Sequence, residues 1–352
     1  MPENQPTVAT VGESGLLARI FPLLPQGPAT LLGPGDDAAV VAAPGGSVVV
    51  SIDTQTQDQD FRLRWNNGYG STGYDVGWKS AAQNLSDINA MGAEPHSLLI
   101  SLTLPPETPV AWVEDFARGV HDAVRALGAE VAVVGGDLGR GREISVTATA
   151  MGREVAGRVG LRSGAMAGDV VAVAGRLGRA AAGWSLLEST VPVGDLTPAQ
   201  RALMDAQCRP CPPLGSGAEA LAAGATAMMD LSDGLLKDSG RLARASGVTL
   251  ELDPLLLAVF GPELRPAAEL LAAVPGSGES AEDLVRGWVQ GGGEDFCLLS
   301  TFPGNGPVPD SFTVVGSVVP TPPGQEHGSR IRDGEGHSAG HATRGWDHFG
   351  AP

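Results

Sequence analysis

Lysine is almost missing from this chain: of 352 residues, only Lys79 and Lys237 carry an ammonium group. Arginine does not fill the gap, because 23 basic residues stand against 40 acidic ones, for a formal charge of −17. That balance excludes a broad cationic face for nucleic acid, which needs clustered Lys and Arg. It suits a solubilising surface, and equally a protein that binds polyphosphates through divalent cations held by its carboxylates. Cysteine is scarce too. Cys208, Cys211 and Cys297 cannot build a disulfide framework, and the single Cys208-x-x-Cys211 lacks the second pair of a structural zinc site. Plain thiols in a cytoplasmic protein are expected. No apolar stretch approaches the roughly 20 residues that span a bilayer. The start Met1-Pro2-Glu3-Asn4 shows no basic segment followed by an apolar run, so no membrane association or export is expected.

Several catalytic signatures are absent as well. There is no G-x-x-x-x-G-K-[ST] phosphate loop, no protein-kinase motif set and no G-x-S-x-G nucleophile turn. His96, His121, His327, His337, His341 and His348 fall mostly in surface-like or tail segments, which disfavours a histidine base. What the chain has in quantity is glycine (50) and proline (27), without a repeat period, on a background that is 42% hydrophobic. Turns are many, and the length suggests two folded domains.

Aspartates recur beside small residues at element ends. The first case is Gly33-Pro34-Gly35-Asp36-Asp37, between an expected helix over 13–24 and an apolar run over 38–43. That run, the turn 44–46 and the run 47–52 predict a β-hairpin ending at Asp53, so antiparallel pairing brings Asp37 near Asp53. The polar segment 54–74 predicts a mobile, lid-like loop. A helix over about 76–92 carries Asn84 and Asp87 on one side. Strands over 97–103, 130–134 and 144–151 and a helix over 110–127 complete an α+β unit with a mixed or antiparallel sheet, and Gly135-Gly136-Asp137 reads as a turn. Residues 1–152 are one expected domain, 153–168 a linker, and 169–352 an α/β domain.

In the second domain, Gly175 and Gly178 between a strand and a helix suit either a phosphate cradle or a tight structural turn. A proline-rich connection leads to a helix near 215–223. Strand 226–229 precedes Asp230-Leu231-Ser232-Asp233-Gly234, where capping of the next helix accounts for Ser232 or Asp233 but not for Asp230. Strand 248–252, two helices between 262 and 290, the turn 291–295, strands 296–300 and 312–318, and a loose tail follow. Leu-Ser-Asp at 85–87 and again at 231–233 is a faint echo, consistent with chance or an old duplication.

Carboxylates without an obvious base suit transfer of a phosphoryl group onto a phosphate. A phosphate monoester has a second pKa near 6 and already offers an anionic oxygen at neutral pH. Catalysis then consists of alignment and charge neutralisation.

Taken in order, the motifs 35–38, 51–54, 84–93, 135–137, 162–165, 230–234, 292–295 and 345–349 resemble those of the thiamine-monophosphate kinases, in the aminoimidazole ribonucleotide synthetase-like superfamily. The resemblance implies a two-domain fold, a homodimer formed through the first domain, several Mg2+ ions, and direct in-line transfer from ATP to thiamine monophosphate. It implies metal contacts from Asp37, Ser51, Asp53, Asp87, Asp137, Asp230 and Asp233. Nucleotide contacts would come from Gly136, Asp137, Arg162 and Ser232, and contacts to the substrate from Asp60, Glu294 and Trp346, the last two facing the thiamine. Asp60 stands where the family usually has a histidine, Ile52 where it commonly has threonine, and Leu138-Gly139 where it often has threonines. Two alternatives stay open: another ATP-dependent synthetase of the superfamily, and a silent protein that binds metal or nucleotide without turnover.

Overall fold

The structure, a computed structural model, describes residues 30–32, 36–43, 46–155, 157–276 and 278–332. The helix expected over 13–24, and Trp346, lie outside them.

Two six-stranded sheets organise the described residues. The first holds β1 (Thr30–Leu32), β2 (Ala39–Ala43), β3 (Gly46–Thr56), β4 (Glu94–Leu104), β5 (Ala132–Arg140) and β6 (Ser145–Arg153), in the order β1-β2-β3-β6-β4-β5. Its pairings are antiparallel except β4 with β5, so the expected mixed sheet is present. Along β6 the side chains alternate between half-buried and buried, the mark of a sheet with one covered face. Helices α1 (Gly73–Ala90) and α2 (Val110–Ala126) supply the cover. Phe116, Val120, Ala123 and Val124 form the buried stripe of α2 at helical spacing. By contrast, α1 is buried nearly all round, because it also packs against the second half of the chain. Glycine permits the close α1–α2 approach: a Cβ at Gly77 would lie 2.1 Å from the Phe116 carbonyl oxygen.

The second sheet contains β7 (Val170–Ala174), β8 (Ala227–Leu231), β9 (Thr249–Leu252), β10 (Cys297–Phe302), β11 (Phe312–Val319) and β12 (Gly328–Ile331), in the order β12-β9-β11-β7-β10-β8. Only β12 with β9 is parallel. The helices are α3 (Arg179–Glu188), α4 (Pro198–Cys208), α5 (Ser216–Ala222), α6 (Leu235–Ser246), α7 (Pro254–Leu257), α8 (Gly261–Ala272) and α9 (Ala281–Gly291). No helix among the described residues is long and apolar enough to cross a membrane.

Several local expectations are corrected. Gly135, Gly136 and Asp137 are not a turn but the middle of β5, since pairing with Leu99, Ile100 and Ser101 on β4 outweighs glycine's turn preference. β3 continues past Asp53 to Thr56, carried by its register with β6. The segment expected to be a lid is anchored: Phe61 and Trp65 are buried, and Asn67 N donates to Leu187 O at 3.1 Å. Two apolar anchors suffice to hold an otherwise polar run. The proline-rich connection contains α4, which starts with Pro198 and a Thr197–Gln200 capping box. The loose tail contributes β12. Helix α6 starts from Gly234, so neither Ser232 nor Asp233 caps it.

Candidate active site

Asp37 lies just before β2, Asp87 on the last turn of α1, and Asp230 in the fully buried strand β8. Elements far apart in sequence thus bring three carboxylates together, each offering an oxygen within 4.8 Å of the others. Ser51, on the buried face of β3, places its Oγ 2.5 Å from Asp87 Oδ2 and 3.3 Å from the Asp37 carbonyl oxygen. Burial pushes the Asp87 carboxyl well above the usual range, and repulsion from Asp53 and Asp37 adds to it. Burial does the same to Asp230, aided by Asp87 and Asp37.

Arg162 reaches this group. Arg162 Nη2 is 2.5 Å from Asp37 Oδ1, and the Arg162 backbone N donates to Asp36 Oδ2 at 3.2 Å. Asp36 also accepts from Asp37 N at 3.0 Å, a structural role in the turn. The second oxygen of Asp37, Oδ2, is buried without a hydrogen-bond partner. A buried carboxylate oxygen with no donor and two carboxylates nearby is satisfied by a proton or a cation. An all-oxygen donor set is what magnesium takes.

Beside this group lies a cavity of about 550 Å³. Asp53 belongs to both places: it lines the cavity and raises the pKa of Asp87. Asp60 lines it too, with Oδ2 accepting from Thr56 N at 2.7 Å. Ser232 and Asp233 form part of the wall, and Asp233 Oδ2 is paired with Lys237 Nζ at 2.9 Å and Arg241 Nη1 at 2.8 Å. Glu294 adopts a left-handed backbone, φ 67°, in the turn after α9. Its N donates to Ser232 O at 2.7 Å, and a Cβ on the preceding Gly293 would sit 2.6 Å from that same oxygen. Glycine is required for these two turns to stack.

Gly136 and Asp137 stand apart from this assembly. The register runs Asp53, Ala148, Ile100, Gly136 across four strands, so Gly136 is roughly 14 Å from Asp53 at about 4.8 Å per strand. Asp137 pairs with Ser101 in the row of exposed Thr54, on the sheet face opposite α1. The site also has members that spacing did not single out. Trp184, Trp288 and Arg241 line the cavity, and Lys79 reaches Glu294 from α1. Lys79 alone left a signal, being one of two lysines and set within a helix otherwise rich in apolar and small residues.

Residues 35–153 match the family described as AIR synthase related protein, N-terminal domain. The thiamine-monophosphate kinase of Mycobacterium tuberculosis is 40% identical over 351 residues, covering 99% of this chain and 95% of that protein. The chain belongs to the thiamine-monophosphate kinase family. Another member, from Escherichia coli K12, is 33% identical and covers 97% of this chain and 99% of its own. Among solved structures, AaThiL complexed with AMPPCP and TMP superposes with a TM-score of 0.77 at 28% identity, covering 98% of this chain and 99% of that one. The hydrogenase maturation protein HypE in complex with ATP, at 17% identity and a TM-score of 0.58, shares the fold alone.

Proposed function

We propose that the protein transfers the terminal phosphoryl group of ATP to the phosphate of thiamine monophosphate, forming thiamine diphosphate and ADP in the cytoplasm. The observation that carries this reading is the meeting of Asp37, Asp87 and Asp230 beside the cavity. Family membership supports it, as does a structural relative complexed with AMPPCP and TMP.

The acceptor needs no general base, because its phosphate is already anionic at neutral pH, and among the described residues no histidine lines the cavity. Asp37, Asp87 and Asp230, with Asp53, Ser51 and Asp233 around them, would hold magnesium, which supplies charge neutralisation between the two phosphates. The remaining side chains orient. Arg162 fixes one oxygen of Asp37, and the other is buried without a hydrogen-bond partner. Arg162 and Ser232 are the proposed nucleotide contacts. Asp60, Glu294 and the rings of Trp184 and Trp288 give the cavity an anionic, aromatic wall suited to a cationic thiazolium.

A homodimer through the first sheet belongs to the proposal. Ile52 and Leu99 are exposed on its open face, and Val133 and Val134 on its edge strand β5. Gly136 and Asp137 lie on that strand, so their proposed roles require a second surface against it. The deciding assay supplies ATP, magnesium and a panel of acceptors to purified protein. Equal amounts of ADP and thiamine diphosphate are expected with thiamine monophosphate; no product, or a clear preference for another acceptor, removes the reading.

A further inference from the structure

Among the described residues, Asp53, Asp60, Asp233 and Glu294 line the cavity, and Arg241 is the Lys or Arg that lines it with them. A phosphate monoester carries about −1.5 to −2 charges at neutral pH. Beside any magnesium that Asp53 and Asp233 hold, a cation facing the cavity favours its approach to that wall. In the turn before α6, Asp233 N and Gly234 N both donate to Asp238 Oδ2, at 2.8 and 3.1 Å, so these two backbone donors are engaged. The guanidinium of Arg241 is a charged donor that lines the cavity.

We propose that Arg241 binds the phosphate of the acceptor, exchanging its contact with Asp233 for a phosphate oxygen. The proposal rests on the kinase reading above and deepens it by assigning a residue to the acceptor's phosphate. Arg241 Nη1 sits 2.8 Å from Asp233 Oδ2 and 2.9 Å from Asp238 Oδ1. Asp238 is fully buried and tied to the α6 start, so it holds the guanidinium at the cavity edge throughout. Lys237 Nζ lies 2.9 Å from the same Asp233 oxygen. Asp233 therefore keeps a cation when Arg241 turns to phosphate, and the exchange strands no buried charge. The planar fork of a guanidinium matches phosphate geometry in a way an ammonium does not. The acceptor is favoured because two residues assigned to it, Asp60 and Glu294, line this cavity, against one, Ser232, assigned to the nucleotide.

The test uses the full chain and the variants Arg241→Gln and Arg241→Lys. Wild-type turnover of thiamine monophosphate is measured first, and its absence would overturn the kinase reading and this proposal together. With wild-type active, Arg241→Gln should raise KM for thiamine monophosphate about tenfold or more, the scale of a lost charged hydrogen bond, with KM for ATP changed less than about twofold. Arg241→Lys should recover part of the loss. Thiamine, which lacks the phosphate, should compete equally well against wild type and Arg241→Gln. Unchanged KM for the acceptor, a rise in KM for ATP instead, or equal weakening of thiamine each overturns the assignment and leaves the kinase reading standing.

Discussion

Lys79 Nζ stands 2.5 Å from Glu294 Oε1, with only 2% of the lysine side chain exposed. The pair joins α1, which covers the first sheet, to the turn after α9 in the second half of the chain. Lys79 also donates to Asp60 O at 2.9 Å, and Gln207 Nε2 donates to Glu294 Oε2 at 3.1 Å. One buried ammonium thus holds two of the residues that line the cavity, and Glu294 is a braced wall rather than a bare anion.

Lys79→Met should cost about 3 kcal/mol of stability, the lower end of the range for breaking a buried pair, because Glu294 keeps 26% of its side chain exposed. Adding Glu294→Gln should cost less than the sum of the single changes. Urea denaturation of the double-mutant cycle decides, and simple additivity would show that the two groups do not interact.

Asp87→Asn and Asp230→Asn should each lower turnover at least about a hundredfold, the scale of removing a preorganised charge contact at a transferring phosphoryl group. Without divalent metal neither should lower the melting temperature, since each removes one of three mutually repelling carboxylates. Near-normal rates, or inactivity accompanied by unfolding, would remove both from the site.

The metal-free protein should lose stability as pH rises from 5 to 8. Burial raises Asp87 and Asp230 well above the usual carboxylate range and holds Asp238 and Asp295 at about 7. The unfolded chain releases these protons near 3.8, so the folded state binds more protons in between and is favoured at the acid side of the window. Magnesium should suppress the share due to Asp87 and Asp230 and leave that of Asp238 and Asp295. Melting curves at four pH values, with chelator and with magnesium, check both parts; a rise of stability with pH in chelator contradicts them.

Arg162→Gln should enlarge the rise in melting temperature that magnesium produces. Arg162 is the cation paired with Asp37, and its removal leaves the group more negative and more dependent on a divalent ion. KM for ATP should rise as well. An unchanged or smaller magnesium effect would place Arg162 outside the electrostatics of the site.

The helices over 73–90, 110–126 and 235–246 and most strands were legible because period and turn chemistry are local properties of the chain. Asp37, Asp87 and Asp230 were legible as acids at element ends. Other features were not. Strand β12 is four residues long and is held by its neighbour β9 and by α6, where Ser329 Oγ donates to Leu236 O. The 54–74 segment looks mobile until Phe61 and Trp65 find a core. Arg241 is one basic residue on an exposed-looking helix face until the turn of Asp233 folds back onto it.

By itself the sequence determined where the chain turns, which residue types stand at those turns, and to which family it belongs, because each of these depends on residue order alone. Only the tertiary structure decided which acids meet. Strand register assigns every side chain to one face, and a single step reverses it. That is why Ser51 and Asp53 share a face and reach Asp87, while Asp137 is turned to the open side of the same sheet. Charge pairing across the two halves, Lys79 to Glu294 and Arg162 to Asp37, was likewise settled by packing, since burial leaves a charge only the partners that the fold brings within reach.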